Sequence, residues 1–212
     1  MNKFLDTVTS RIIVACLAVF IITMIPSPLG TVIFSYGALI PSRAFKGEVW
    51  RFITYLFLHG GALHLVFNMI ALWSFGNTME GVWGSKKFLI FYTVCGVGSG
   101  LMCFLLWNSP VIGASGAVLG ILAAFAWYFP RRTIYVWFIP MPAWLVVAIL
   151  TAVSLALAGG GVGNIAHAGH LGGMVTAFAW LIIENKVPRF WAQSSKDAPS
   201  RYDITKKRVH WK

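Results

Sequence analysis

Residues 113–120 read Gly-Ala-Ser-Gly-Ala-Val-Leu-Gly, and residues 168–177 read Ala-Gly-His-Leu-Gly-Gly-Met-Val-Thr-Ala. Both stretches lie in apolar segments and repeat a small residue every four positions. The repeats are Gly116, Gly120 and Ala124 in the first segment and Gly169, Gly173 and Ala177 in the second. Small residues at this spacing let two membrane helices approach closely. The sequence therefore predicts a tight helix pair, with Ser115 just before the first repeat and His170 just inside the second.

The composition is that of a membrane protein. Hydrophobic residues make up 58% of the chain, charged residues only 11%, and the mean hydropathy is +0.75. Soluble domains carry roughly 25% charged residues. A helix that crosses the hydrocarbon layer needs roughly 20 mostly apolar residues, so a chain of 212 residues has room for about six such helices.

Clusters of Gly, Pro and charged residues separate six apolar segments. We predict membrane helices at 11–29, 62–80, 87–107, 115–129, 143–159 and 165–184. These six segments predict one all-α bundle over residues 1–185, followed by a basic cytoplasmic tail over residues 186–212. The first segment also resembles a signal peptide, since Lys3 and Arg11 precede its apolar run. No small-x-small cleavage site follows it, so we interpret it as a retained helix.

The distribution of positive charge predicts the orientation of the bundle. Two of the seventeen Lys and Arg residues precede the first helix, two separate helices two and three, two separate helices four and five, and eight follow helix six. The remaining three, Arg43, Lys46 and Arg51, lie between helices one and two. Cytoplasmic loops are enriched in Lys and Arg, so both termini are expected in the cytoplasm. This topology, together with anionic lipid, explains the net charge of +11 without nucleic acid as a partner.

Ser115 alone does not indicate catalysis, because serines in membrane helices often bond only to a carbonyl one turn earlier. Its setting favours a nucleophile, since residues 113–116 follow Pro110 and open a helix. There the free N–H groups and the helix dipole stabilise negative charge. A serine nucleophile also needs a base within hydrogen-bond reach. His167 and His170 lie close to one helical face, and we prefer His170 because it lies deeper in the predicted helix.

A second polar pair lies on the second predicted helix. His64 and Asn68 are four residues apart and therefore share a face. With the N–H of Ser115 they would form an oxyanion hole for a tetrahedral intermediate. The alternative is a hydrogen bond that only holds this helix in place. His59, beside two glycines, is interpreted as a residue that orders the loop.

A full catalytic triad would add a carboxylate beside the histidine, and the sequence offers none at the right depth. The carboxylates lie at inner helix ends, in the outer loop or in predicted cytoplasmic segments: Asp6, Glu48, Glu80, Glu184, Asp197 and Asp203. The arrangement is therefore predicted to be a dyad. Three cysteines within apolar segments, without motif spacing, indicate core thiols rather than disulfides or a metal site. No metal and no cofactor is expected.

Taken together, these residues resemble the rhomboid intramembrane serine proteases over nearly the whole six-helix core. The stretch Trp50-Arg51 is similar to the Trp-Arg element of the family's first outer loop, and residues 59–68 to its HxxxN stretch with an upstream histidine. Residues 113–116 are similar to its GxSG motif, and residues 170–173 to its histidine-bearing sixth helix. One departure is Leu119, at a position where family members often place an aromatic ring against the histidine.

The resemblance implies the role of each site residue. Ser115 would be the nucleophile, His170 the general base, and His64 and Asn68 the oxyanion donors. The resemblance and the residues around the site also imply structural positions, which are His59, Trp50, Arg51, Gly113, Gly116 and Gly173. The glycine-rich residues 159–163 are interpreted either as a movable cap over the site or as a simple connector.

The resemblance also implies a function. The expected protein is a multi-pass endopeptidase of a bacterial plasma (inner) membrane that cleaves single-span membrane proteins near the extracytoplasmic end of their helix. A monomer would suffice, although the sequence leaves the oligomeric state open. The alternative is an inactive rhomboid-like protein that binds membrane clients; such a protein would be expected to lack the serine or the histidine. A transporter is disfavoured because no predicted helix has an internal acidic residue, and HExxH and paired aspartates of other intramembrane proteases are absent from the sequence.

Overall fold

A computed structural model describes residues 6–106, 109–136, 138–158, 164–186, 202–203 and 208–209. The elements of the N-terminal half are helices α1 (Val8–Met24), α2 (Pro28–Gly37), α3 (Pro41–Ala44), α4 (Arg51–Thr54), α5 (Ala62–Ala71), α6 (Asn77–Trp83) and α7 (Ser85–Leu106). A 3₁₀ turn (Tyr55–Phe57) follows α4, and a π-helical turn (Leu72–Gly76) joins α5 to α6. The elements of the C-terminal half are α8 (Ser115–Tyr128), β1 (Thr133–Val136), β2 (Ile139–Pro142), α9 (Ala143–Leu157), α10 (Asn164–Lys186), β3 (Tyr202–Asp203) and β4 (Arg208–Val209).

Five of the six predicted helices are found to within three residues at each end, whereas the first, predicted over 11–29, ends at Met24 and is followed by the separate helix α2. The second of them is continuous from Ala62 to Trp83 through the π-helical turn. By length and composition, Ser85–Leu106 can cross a membrane, and the pair Arg51–Phe57 and Ala62–Trp83, bent by 99°, would count as a second crossing segment. Helices α1, α8 and α9 are apolar but shorter. The count of six membrane spans therefore stays a prediction, as does the division into a core and a tail.

The prediction was of six helices joined by loops, and two of the connections instead contain secondary structure. The segment between α1 and α5 contains α2, α3 and α4. Pro28 and Pro41 lie in the first turns of α2 and α3, where the missing N–H of proline costs nothing. Ser27 caps α2 by accepting a hydrogen bond from the N–H of Gly30 at 3.1 Å. The connection between α8 and α9 is an antiparallel β1–β2 hairpin.

The N-terminus of α1 is held by a carboxylate from α6. Glu80 accepts hydrogen bonds from the N–H groups of Val8 and Thr9 at 2.8 and 2.9 Å and from the Thr9 hydroxyl at 2.7 Å. The hydroxyl of Ser85 donates a further bond at 2.6 Å. A negative charge at a helix N-terminus satisfies otherwise unpaired N–H groups and interacts favourably with the helix dipole. This buried carboxylate therefore fixes α1 against the start of α7.

Helices α8 and α10 pack backbone to backbone. A Cβ atom added to Gly173 would lie 2.0 Å from the carbonyl oxygen of Gly116, and one added to Gly116 would lie 2.9 Å from that of Gly169. At Gly120 it would lie 3.2 Å from the carbonyl oxygen of Gly173. We call these four residues, Gly116, Gly120, Gly169 and Gly173, the glycine contact. The predicted close approach of the two small-residue repeats is thereby confirmed, and Cys16, Cys95 and Cys103 are buried free thiols.

Candidate active site

Ser115 is the first residue of α8, and backbone hydrogen bonds fix the chain that leads to it. Val111 exchanges two such bonds with Leu39 at 2.9 and 3.0 Å, and the N–H of Gly113 donates to the carbonyl of Tyr55 at 2.9 Å. The first N–H groups of an α-helix have no partner inside the helix. The serine is therefore placed where free donors and the positive end of the dipole meet.

The structure brings Ser115 and His170 together. Nε2 of His170 lies 3.0 Å from Oγ of Ser115, within hydrogen-bond distance. The competing histidine, His167, lies one turn earlier on α10, and its ring centroid is 5.8 Å from that of His170. The choice of His170 over His167 as the partner of the serine agrees with this geometry. A base at this distance can take the proton of the hydroxyl.

The glycine contact accounts for this distance. Gly116 follows the serine directly and Gly169 precedes the histidine, so the side chains of Ser115 and His170 start beside the points where the two helices touch. Ser99 of α7 packs on the same spot, since a Cβ on Gly116 would lie 2.0 Å from its Oγ. Ser99 is buried and was not predicted, because one serine in an apolar helix carries no distinguishing pattern.

His64 and Asn68 both lie on α5. A Cβ on Gly113 would approach the His64 imidazole to 2.7 and 2.8 Å, so this ring lies against the backbone two residues before Ser115. Gly113 itself has a φ of +118°, a backbone conformation that residues other than glycine rarely adopt. Asn68 is buried, and its Nδ2 donates to the carbonyl of His64 at 2.8 Å. Since an amide has two N–H donors, Asn68 keeps a second one for an oxyanion.

His59 is buried in the turn that precedes α5. Its ring meets that of His64 edge to face, with 5.1 Å between the centroids. Burial, with a smaller contribution from the neighbouring His64, lowers the pKa of His59 to about 4. At neutral pH the ring is therefore uncharged, as expected for a residue that packs beneath the loop.

Arg51 holds the segment between α1 and α5 in place. The side chain is fully buried; its Nη1 donates to the carbonyls of Ser35 and Ala38 at 2.8 and 2.6 Å, and its Nε donates to Glu48 at 2.6 Å. Arg51 and Glu48 also form an ion pair. We call this set of contacts the arginine anchor. Trp50 is exposed and donates from Nε1 to the carbonyl of Tyr36 at 3.3 Å, so Trp50 and Arg51 both bond to backbone carbonyls at or just after the C-terminal end of α2.

Three carboxylates in the described part of the chain bond to partners other than the serine and the histidine. Glu48 pairs with Arg51, Glu80 caps α1, and Glu184 pairs with Lys87. Within the ranges that the structure describes, no group of three or more His, Cys, Asp or Glu side chains could hold a metal ion. The proposed cap at 159–163 and nearly all of the basic tail lie outside the described residues. Leu119 is partly buried against the core.

Comparison with known proteins gives a consistent result. The sequence model of the Rhomboid domain matches residues 46–186. The chain is similar to Rhomboid protease GluP of Bacillus subtilis, at 34% identity over 145 residues that cover 68% of this chain and 28% of the relative. It is also similar to Rhomboid protease AarA of Providencia stuartii, at 26% identity over 180 residues that cover 72% and 63%. Rhomboid protein 1 of Saccharomyces cerevisiae mitochondria is 34% identical over 139 residues that cover 59% and 40%. The matched region thus spans less than two thirds of each of these relatives.

Proposed function

The chain belongs to the rhomboid family, and we propose that it is an intramembrane serine endopeptidase that works with a Ser115–His170 dyad. The observation that carries this proposal is the 3.0 Å separation of the Ser115 hydroxyl and the His170 imidazole. Two of the relatives are named proteases, which supports the same reaction. An inactive rhomboid-like protein that only binds clients would have no need to keep both groups in hydrogen-bond contact.

The dyad suits a two-step acyl transfer. His170 Nε2 takes the proton of Ser115 as the oxygen attacks the scissile carbonyl, and the same proton then goes to the departing amine. Water, deprotonated by the same imidazole, hydrolyses the acyl-enzyme and regenerates the serine. Neither step needs a cofactor or a metal.

The negative charge of the tetrahedral intermediate would be stabilised from two directions. The Ser115 N–H at the start of α8 is one donor, and the His64 ring and the second N–H of the Asn68 amide are the others. Removing one such donor from an oxyanion hole typically lowers kcat by about 10²–10³. His64 and Asn68 therefore rank below Ser115 and His170 in expected effect.

The resemblance to the rhomboid proteases implies the substrate class, and the topology that the charge pattern predicts implies the side of the membrane on which it is cut. With six spans and both termini in the cytoplasm, the start of α8 faces the extracytoplasmic side, in a bacterial inner membrane. The substrate would be a single-span membrane protein, cut near that end of its helix, where an unwound backbone can be hydrogen-bonded by protein or water. One copy of the chain contains the whole site, so a monomer suffices, and the partners are the substrate and the lipid bilayer rather than nucleic acid.

The decisive experiment compares wild type with Ser115→Ala on a transmembrane test substrate in detergent and in vesicles. We expect cleavage by wild type, no detectable cleavage by the variant, and labelling by a serine-directed phosphonate that disappears in the variant. Equal cleavage by both proteins would refute the assignment. A folded wild type that binds the substrate without cleaving it would favour the client-binding alternative.

The assignment of the base has its own matched pair. His170→Ala is expected to be as inactive as Ser115→Ala, whereas His167→Ala, one turn away on α10, should retain turnover. The reverse ranking would show that His167 is the base.

A further inference from the structure

The β1–β2 hairpin is a fixed part of the fold with one face on the helices. Its register pairs Ile134 with Met141 and Val136 with Ile139. Ile134, Val136 and Met141 pack against the hydrophobic core. The hairpin therefore has a defined position on the bundle, and its opposite face and its turn point away from the core.

That outward part is strongly apolar. Phe138, at the turn, is 92% exposed, Tyr135 is 71% exposed and Ile139 is 63% exposed. Contact with water would cost about 25 cal/mol for each Å² of apolar surface. Exposed apolar clusters of this kind mark sites that contact a membrane or another protein.

The flanks of the hairpin carry the side chains typical of a membrane–water interface. Trp127, near the end of α8, and Trp144, near the start of α9, are both exposed, and Trp and Tyr are enriched at this level of the bilayer. Arg131 and Arg132 are exposed beside them. The carbonyl of Arg132 accepts from Ala143 at 2.9 Å and that of Pro130 accepts from Trp144 at 3.1 Å, so backbone hydrogen bonds tie the segment that carries both arginines to the start of α9.

From this arrangement we infer that the hairpin is a lipid-binding element that inserts into the cytoplasmic leaflet. Phe138 and Ile139 lie among the acyl chains, and Arg131 and Arg132 bind anionic phospholipid headgroups. The inference rests on the proposed membrane topology, which places the C-terminal end of α8 and the start of α9 at the cytoplasmic surface. Charge favours lipid over a protein partner, because the cytoplasmic leaflet is negative and each nearby Lys or Arg strengthens its attraction.

The test uses a fluorophore at the turn. Cys16, Cys95 and Cys103 are each 0% exposed, so a maleimide bimane dye should label Phe138→Cys selectively, with wild type as the unlabelled control. Ile139→Cys gives a second position that leaves Phe138 in place. Lys86→Cys, at an exposed site on the same predicted side of the membrane, is the matched control outside the hairpin. Quenching is measured in vesicles that contain phosphatidylcholine or phosphatidylglycerol with brominated acyl chains.

We expect both brominated lipids to quench the label at 138 and at 139 much more than the label at 86. Brominated phosphatidylglycerol should bind more tightly than brominated phosphatidylcholine, by a ratio on the order of fivefold for each arginine. This ratio should fall to about one in Arg131→Gln/Arg132→Gln.

Three results would overturn the inference: a label at 138 and 139 no more quenched than at 86, a phosphatidylglycerol preference that survives the double arginine variant, or dye–dye self-quenching that reveals a second copy on the hairpin. Cleavage of the test substrate is measured on the same labelled protein. An unquenched label on an active enzyme refutes only the lipid inference, whereas a quenched label together with an unlabelled wild type that never cleaves refutes only the protease assignment.

Discussion

The glycine contact and the arginine anchor solve the same problem, the placement of a segment beside the site, by opposite means. In the glycine contact, two helices touch through backbone atoms, and a single added carbon would lie 2.0 Å from a carbonyl oxygen. In the arginine anchor, a fully buried cation fastens the segment before α5 through two carbonyls and a carboxylate. The first depends on the absence of side chains and the second on one particular side chain.

The difference predicts how each region responds to change. Packing of backbone on backbone cannot relax by rotamer changes, so we expect an addition at Gly173, where the nearest atoms are backbone atoms of Gly116, to move Ser115 relative to His170. A polar anchor fails differently: removal of the arginine leaves buried acceptors without donors, which destabilises the fold before it alters the dyad.

The largest effect is expected from Gly173→Ala. Its Cβ would lie 2.0 Å from the Gly116 carbonyl oxygen and 2.6 Å from the carbonyl carbon. Because both atoms are backbone, the cost should exceed the usual ~1–3 kcal/mol of overpacking, and cleavage should be lost. Thermal unfolding in detergent and cleavage of the test substrate measure the two effects.

The matched control is Gly60→Ala, where the added Cβ would meet only the end of the Ile112 side chain at 3.4 Å. We expect a change within about 0.5 kcal/mol and normal cleavage. A Gly173→Ala variant that unfolds and cleaves like Gly60→Ala would show that the two helices are not in backbone contact.

The arginine anchor should respond with a loss of stability of about 3 kcal/mol in Arg51→Leu. This is the lower end of the range for breaking a buried ion pair, chosen because Glu48 is 26% exposed and recovers some hydration. Arg51→Lys keeps the charge but not the planar fork of donors, so it should lie between Arg51→Leu and wild type. Arg43→Leu, an exposed arginine in the same segment, should be close to neutral. Equal unfolding temperatures for the Arg51 and Arg43 variants would contradict the anchor.

Glu80 also holds one helix against another through hydrogen bonds, and we expect a smaller loss of stability when it is changed than when Arg51 is changed. Glu80→Gln turns an acceptor of four hydrogen bonds into a group that also donates, and we expect a loss of about 2 kcal/mol. Thr9→Val removes one of those bonds and should cost about 1 kcal/mol. Because Glu80 lies at the far end of the helical run that carries His64, the folded fraction of both variants should cleave normally. Lower turnover per folded molecule would indicate that the contact also positions the site.

The sequence predicted the features that depend on local patterns and missed the contacts between positions that are far apart in the chain. The six helices and the pairing of Ser115 with His170 depend on local signals, namely apolar runs and a small residue every four positions. Those signals are complete within one helix at a time, so no knowledge of distant contacts was needed to find them.

The contacts that sequence reasoning missed join distant positions. Val8 and Glu80 are 72 residues apart, and nothing in either stretch marks the other as its partner. The hairpin was missed because Pro140 and Pro142 disfavour a strand, yet β2 is a short strand in which they lie opposite Tyr135 and Thr133. For Asn68 the helical spacing predicted a face shared with His64, but not that one amide proton would bond to the carbonyl of that residue.

His59, between the arginine anchor and the helix that carries His64, tests the comparison through an effect that is absent at neutral pH and grows as the pH is lowered. Its pKa is about 6.5 in the unfolded chain and about 4 in the folded protein. Between these values the unfolded state binds a proton that the folded state refuses, so stability falls as pH is lowered from 6.5 towards 4 and is fully retained above 6.5. One proton can account for at most ~1.4 kcal/mol per pH unit. Wild type should therefore lose stability more steeply than His59→Gln in this window, by no more than that slope, while His167→Gln serves as the control on the other side of the site. Parallel pH profiles for wild type and His59→Gln would contradict this prediction, because they would mean that the pKa of His59 is the same in the folded and unfolded states.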